Sequence, residues 1–395
     1  MRSVILIICF ISTCYCKLKF NDRPRNFSIE LLYHTQSETE GQMVISPFGI
    51  WCLMTNVALG AQGNSFKQVK KALRLPKKLT DFKKNYKNLV DAVQDSAMNG
   101  VTLVNKNFMF FNNDFIVDTT YKNIVQDDLE TTIQELDFND PNSVRIANKI
   151  IQSTVPEVSD VLNSDDLSDS RMILTNVVTF KGIWNVPFNV SETIEEPFYS
   201  ENKQIAGYVK MMYQSGEFPF SNVAGLKAFA LELPYGTAGK YSMLLLLPHP
   251  NTKIKDMYRK LAEVTLKDIF DKLQSDVDKF GSIEIDVRLP RFKISTDVVM
   301  NKPLNDMGVL DIFQPDLANF KKITREKIFV SSIIHKAEIE VTEAGTVATA
   351  SSTAKFSARS YSPLFYANRP FAYFIMEKST LTVIFSGIYS KPTIF

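Results

Sequence analysis

Helical spacing of apolar residues dominates the N-terminal part of the chain. Phe27 to Thr35 and Ile50 to Leu59 carry it, and Ser46-Pro47 ahead of the second segment fits a helix start with proline in the first turn. Phe66 to Arg74 and Phe82 to Val93 read as two amphipathic helices joined near Pro76. Their apolar faces are Phe66, Val69 and Leu73, then Phe82, Tyr86, Leu89, Val90 and Val93. Strand patterns follow. Val101 to Phe110, Met172 to Thr179, Ala228 to Leu233 and Tyr241 to Leu247 read as strands, several of them apolar on both faces and so buried. Asn185 to Phe198, with Pro187 and Pro197, reads as a connector. Leu261 to Leu273 reads as a helix, Ile283 to Ile294 as one strand and Lys302 to Met307 as a short helix. The chain ends in two apolar strands, Phe371 to Met376 and Leu381 to Tyr389, turning at Glu377 to Thr380. Helices and strands do not alternate regularly, so the class is α+β rather than doubly wound.

One stretch has a pattern that fits two states. From Lys336 to Val341 the chain alternates: Ala337, Ile339 and Val341 point one way, Lys336, Glu338 and Glu340 the other. After Glu343, Ala344 and Gly345 comes a run of small or β-branched residues, and no proline occurs from Thr342 to Ser362. Every backbone N–H there is free to join a ladder. The alternate residues Thr346, Ala348, Ala350, Ser352 and Ala354 are small and uncharged, so this face fits under neighbouring elements. Val347, Thr349, Ser351, Thr353 and Lys355 form a more polar face. The segment suits a surface loop and suits a central strand.

Composition narrows the setting. The chain has 395 residues and a formal net charge of +2, enough length for a large core and too little charge for general nucleic-acid binding. No linker, repeat or low-complexity segment divides it. Residues 1–16 read as a signal peptide: Arg2, the apolar run Val4 to Ile11, then Cys14 and Cys16 before a cut ahead of Lys17. The apolar run is far short of the ~20 residues of a membrane span. The expectation is a secreted, monomeric protein comprising 17–395, with no membrane partner. Of four cysteines only Cys52 stays in the mature chain, in an apolar helical pattern that marks it as packing rather than nucleophile. Asn26-Phe27-Ser28 and Asn189-Val190-Ser191 are N-glycosylation sequons.

The three histidines, His34, His249 and His335, lie in no nucleophile elbow or zinc spacing, and no phosphate loop or dinucleotide fingerprint occurs. An enzyme with its own catalytic or metal centre is not expected. Both amphipathic helices are basic on their polar faces: Lys67, Lys70, Lys71 and Arg74 on the first, Lys83, Lys84 and Lys87 on the second, with Lys77 and Lys78 between them. By composition these are solvated faces; the functional alternative is a polyanion-binding site formed by Lys67, Lys70, Lys71, Arg74, Lys83, Lys84 and Lys87.

EAGTVATAS, preceded by HKAEIEV and followed by NRPFAYFI, resembles the reactive loop and flanks of the serpins. ISPFGI (Ile45 to Ile50), LTNVVTFKGIW (Leu174 to Trp184), LPRFKI (Leu289 to Ile294), LNDMGV (Leu304 to Val309) and FSGIYSKP (Phe385 to Pro392) extend the resemblance over the mature chain in family order. It implies one domain with three β-sheets, about nine helices and an exposed reactive loop near 343–363 that enters the large sheet as a strand. It further implies that a target serine protease attacks a bait bond and is trapped as its acyl-enzyme. Glu343, Gly345, Thr346, Val347, Ala348, Thr349, Ala350 and Ser351 fall on the hinge, and family spacing puts the cut between Arg359 and Ser360. Lys355 and Phe356 are alternatives that shorten the inserting segment. Arg-Ser suits trypsin-like proteases of clotting, complement-like or immune cascades, in the organism itself or in a host. Ser46, Asn176 and His335 fall on the shutter, where the large sheet parts, and Gly49 stands where many relatives have serine. Lys83, Lys84 and Lys87 match the helix on which some serpins bind heparin-like glycosaminoglycan, the one cofactor expected. The alternative function is a non-inhibitory serpin acting as a binding or carrier protein.

Overall fold

Hydrogen-bond ladders sort the strands into three sheets in a computed structural model that describes residues 19–36, 38–39, 41–76, 81–95, 100–346 and 362–393. The large sheet runs Thr131–Leu136, Val101–Asn112, Met172–Ile183, Ser332–Val341, Phe292–Val299. A second sheet runs Met43–Ile45, Thr382–Tyr389, Phe371–Glu377, Tyr241–Pro248, Ala228–Tyr235, Phe220–Val223. A small sheet runs Leu364–Tyr366, Glu284–Pro290, Ile205–Glu217, Ile194–Tyr199. Ten α-helices occur among the described residues, in keeping with the expected nine or so. The fold is α+β in a single domain.

Strands apolar on both faces end up inside, as expected. Every residue of Tyr241–Pro248 and Thr382–Tyr389 is buried. Pro47–Gly60 begins at Ser46, whose hydroxyl accepts from Gly49 N at 3.2 Å, and it is apolar around its whole circumference and almost wholly buried. Behind one face of the large sheet, Phe108, Ile173, Val177 and Ile334 pack with Ala147 and Ile151 of the helix Ser143–Thr154. The rest of the core lies on the other side. Cys52 is inside it, and burial pushes its thiol up to about 12, which removes it as a nucleophile. No described helix is long and apolar enough to cross a membrane.

Three sequence expectations change. Ile283 to Ile294 is two strands in two sheets, parted at Arg291: Glu284–Pro290 in the small sheet, Phe292–Val299 in the large one. Alternation continues through both, so periodicity gave no sign of the break. Leu261 to Leu273 is likewise interrupted. Ile254–Lys260 ends before it, and Leu266–Phe280 starts afresh at Thr265, whose hydroxyl accepts from Asp268 N while the Asp268 carboxylate accepts from Thr265 N. The connector Asn185 to Phe198 contains the strand Ile194–Tyr199, with Pro197 tolerated because this strand is a sheet edge.

Candidate functional site

The strand Met172–Ile183 has two unlike neighbours. With Val101–Asn112 it forms an antiparallel ladder from Val101↔Gly182 to Phe111↔Met172. With Ser332–Val341 it forms a parallel ladder only from Ser332↔Ile173 to Ala337↔Val178. Beyond Val178 this second seam carries no further ladder, and the Thr179–Ile183 end is left for something else.

What meets it is the hinge. After Val341 the chain turns through Thr342–Gly345, whose backbones exchange hydrogen bonds of 2.8 and 3.1 Å. Gly345 and Thr346 then pair antiparallel with Ile183 and Gly182. Gly345 has φ +141°, and a Cβ there would lie 2.1 Å from the Gly182 carbonyl oxygen, so only glycine fits. Thr346 is 1% exposed, with its hydroxyl 2.9 Å from that of Tyr235. Tyr235 stacks on Trp184 at 4.3 Å between ring centroids, and Trp184 donates to the Thr342 carbonyl through Nε1 and to the Ala344 carbonyl through its backbone N–H, both at 2.9 Å. Glu343 is buried too: Phe188 N donates to its carbonyl at 2.8 Å, Thr193 Oγ1 donates to Oε1 at 2.8 Å, and Arg291 Nη1 lies 3.9 Å from Oε2. Val347, Ala348, Thr349, Ala350, Ser351, Arg359 and Ser360 lie outside the described residues.

Lower on the same seam, Ser46, Asn176 and His335 come together. His335 is the register partner of Asn176. Its Nε2 accepts from Ser46 N at 2.9 Å, and the Ser46 hydroxyl donates to the Ile384 carbonyl at 2.6 Å. The ring is therefore neutral at Nε2, and complete burial lowers its pKa to about 4. Asn176 Nδ2 donates to Asn105 Oδ1 and Asn107 Oδ1, each at 2.8 Å, while its Oδ1 is buried with no protein partner. A Cβ on Gly49 would fall 2.2 Å from that Oδ1. The glycine thus makes room for Asn176, whose amide is held by two asparagines of the neighbouring strand. Asn105 and Asn107 were not singled out in the sequence; their only signal was a pair of amides, two apart and so on one face, in a strand that also carries Thr102, Lys106 and Asn112. Tyr235, Trp184, Thr193 and Arg291 were missed as well, because they reach the hinge from distant segments.

The basic helices are Gly63–Ala72 and Phe82–Gln94. Lys83 is ion-paired with Asp128, Lys87 lies 3.8 Å from Asp91 and 4.0 Å from Glu130, and Arg74 is 3.0 Å from Glu30. Lys70 lies over the Phe66 ring. Lys67, Lys71 and Lys84 are exposed and in no ion pair among the described residues. Of the sequons, Asn26 is half-buried on the helix Asp22–Thr35. Asn189 is half-buried in a turn, its Oδ1 accepting from Ser191 N and Oγ at 3.1 and 2.8 Å.

Comparison with known proteins gives one answer over almost the whole chain. The family model described as Serpin (serine protease inhibitor) matches residues 22–392. Human Serpin B9 is 29% identical over 377 residues, covering 93% of this chain and 97% of that protein. The structure of native protease nexin-1 with heparin superposes with a TM-score of 0.80 at 26% identity, over 94% of this chain and 100% of the other. A complex of human thyroxine-binding globulin gives 0.82 at 21% identity, over 95% and 98%, a likeness of fold alone.

Proposed function

The chain belongs to the serpin family, most of whose members inhibit proteases, and from that premise we propose that it is a secreted inhibitor of trypsin-like serine proteases with Arg359-Ser360 as its bait bond. The protease serine attacks the Arg359 carbonyl, the Ser360 amine leaves, and the freed loop enters the seam between Met172–Ile183 and Ser332–Val341 before the acyl-enzyme is hydrolysed. The observation that carries this reading is the hinge: Gly345 and Thr346 already pair antiparallel with Ile183 and Gly182. Continuing that register sets Ala348 against Phe180, Ala350 against Val178, Ser352 against Asn176 and Ala354 against Leu174. Residues directly opposite share a face, so the small, uncharged set turns toward the core. Insertion also replaces one parallel ladder with two antiparallel ones, the slightly more stable arrangement per residue.

Arg359 is the residue that selects the target, through a guanidinium that pairs with a carboxylate in the protease pocket. A sulfated glycosaminoglycan acts as an accelerator bound through Lys84 and its neighbours; retention on a heparin column that falls with salt, lost in Lys84→Ala, is its signature. The deciding experiment mixes the mature protein with trypsin and with thrombin, runs denaturing gels and sequences the released peptide. A detergent-stable complex and a peptide starting at Ser360 are expected. Cleavage there with no complex overturns the inhibitory reading, and cleavage elsewhere in the loop overturns Arg359.

A further inference from the structure

Neither N-glycosylation sequon has a part in the inhibitory reading, and the fold treats the two differently. In Asn26-Phe27-Ser28 the helix Asp22–Thr35 takes the hydroxyl away from the amide: Ser28 is buried and donates to the Pro24 carbonyl at 2.6 Å. In Asn189-Val190-Ser191 the two groups face each other. Ser191 is exposed, and its N–H and hydroxyl both donate to Asn189 Oδ1. Asn189 Nδ2, the atom that bears an N-linked sugar, then has no hydrogen-bond partner among the described residues. Val186, Val190 and Ile194, close to it in the chain, are exposed apolar side chains, a surface that the apolar face of a sugar ring shields from water.

The turn Val190–Glu192, which Asn189 caps, is also what grips the hinge. Phe188 N donates to the Glu343 carbonyl on one side of the turn, and Thr193 Oγ1 donates to Glu343 Oε1 on the other, each at 2.8 Å. Glu343 is buried, so little water competes for either bond. The Asn189 side chain closes the turn between the two donors and so sets their spacing. Whatever keeps the Asn189 amide in place keeps Glu343 held from both sides.

We propose that Asn189 carries an N-linked glycan and that the glycan holds the turn that grips Glu343, so that modification steadies the hinge. The proposal rests on the secreted reading above, because the sugar donor, an oligosaccharide joined to a polyprenyl diphosphate, is met on the export route. In the transfer Nδ2 bonds to C1 of the first sugar and the bond from C1 to the diphosphate oxygen breaks. The polyprenyl diphosphate leaves with that electron pair, and one Nδ2 proton goes to a base of the transferase. Oδ1 is untouched and still accepts from Ser191. A bulky substituent on Nδ2 hinders the side-chain rotation that would release it.

The test expresses the full chain, with its own leader, in cultured eukaryotic cells as wild type, Asn26→Gln, Asn189→Gln, Ser191→Ala and Ser191→Thr. Peptide mass mapping of the exported protein reads the sugar at Asn189. It is expected on most wild-type molecules, unchanged in Asn26→Gln, absent from Asn189→Gln and Ser191→Ala, and kept in Ser191→Thr, which retains the hydroxyl. Exported wild type with a bare Asn189 overturns the proposal and leaves secretion standing. A chain that its own leader fails to export overturns the secreted reading and the proposal with it. Amide hydrogen exchange then compares glycosylated wild type with the same mature chain made without sugar in bacteria. The Phe188 amide is expected to exchange at least about threefold more slowly with the glycan, while the Asp118 amide, bonded to the Ile323 carbonyl in another part of the fold, exchanges alike in both. Equal rates at Phe188, or slowing of both amides by the same factor, overturn the hold on the hinge.

Discussion

The two seams flanking Met172–Ile183 are built from the same strand and behave as opposites. Toward Val101–Asn112 the ladder is antiparallel and runs nearly the full length of both strands. Toward Ser332–Val341 it is parallel, stops at Val178, and carries the hinge and the Ser46–Asn176–His335 cluster. One seam is closed by an unbroken ladder of eleven register pairs, from Val101↔Gly182 to Phe111↔Met172. The other leaves a gap at Thr179, Phe180 and Lys181 between two ladders and packs polar groups, including an unpartnered Asn176 Oδ1, where a core would otherwise be apolar. The lesson is that one strand can carry a continuous ladder on one side and an interrupted one on the other, and the interrupted side is the one that the proposed inhibition fills.

Substitutions that touch only one seam sharpen this contrast. The largest effect is expected from Thr346→Arg, which puts a cation where the side chain is 1% exposed and faces Tyr235. Burying it unpaired costs several kcal/mol, so covalent complex with trypsin should fall at least about tenfold while cleaved product rises. Full trapping by this variant would refute the hinge argument. Phe108→Ala acts on the closed seam, removing a fully buried ring packed toward the helix Ser143–Thr154. It should lower stability by about 3–5 kcal/mol in denaturant unfolding, equally for the intact and the loop-cleaved protein. A loss confined to one of the two forms would mean that the seams are not independent.

The third effect is set by pH. His335 is neutral when folded, with a pKa near 4, against about 6.5 in an unfolded chain. Between those values the unfolded state holds a proton that the native state lacks, so stability rises with pH across the window and is lost as pH falls from about 6.5 toward 4. The loss is on the order of 3 kcal/mol at most, and His335→Gln, which keeps an acceptor for Ser46 N, should flatten it in thermal unfolding followed against pH. The smallest change is Gly49→Ala. Its new methyl would overlap Asn176 Oδ1, forcing the amide off Asn105 and Asn107 at a cost of about 1–3 kcal/mol. An unfolding temperature equal to wild type would show that Asn176 does not depend on the glycine.

Sequence alone determined what is local. The strand alternation from Lys336 to Val341, the Ser46-Pro47 helix start, the buried apolar strands and the small residues after Glu343 follow from side-chain period, capping chemistry and volume, all properties of neighbouring positions. The ordered family segments extended these to the three-sheet α+β architecture and to the meeting of Ser46, Asn176 and His335. Tertiary structure decided what depends on partners far away in the chain. The change of sheet at Arg291 is invisible to periodicity because both halves alternate alike. Gly345 is required because the Gly182 carbonyl, more than a hundred and fifty positions earlier, occupies the space of a Cβ. Asn105 and Asn107 meet Asn176 only because strand register brings them together. Register is fixed by the summed pairing of whole strands, a quantity that no single stretch of sequence contains.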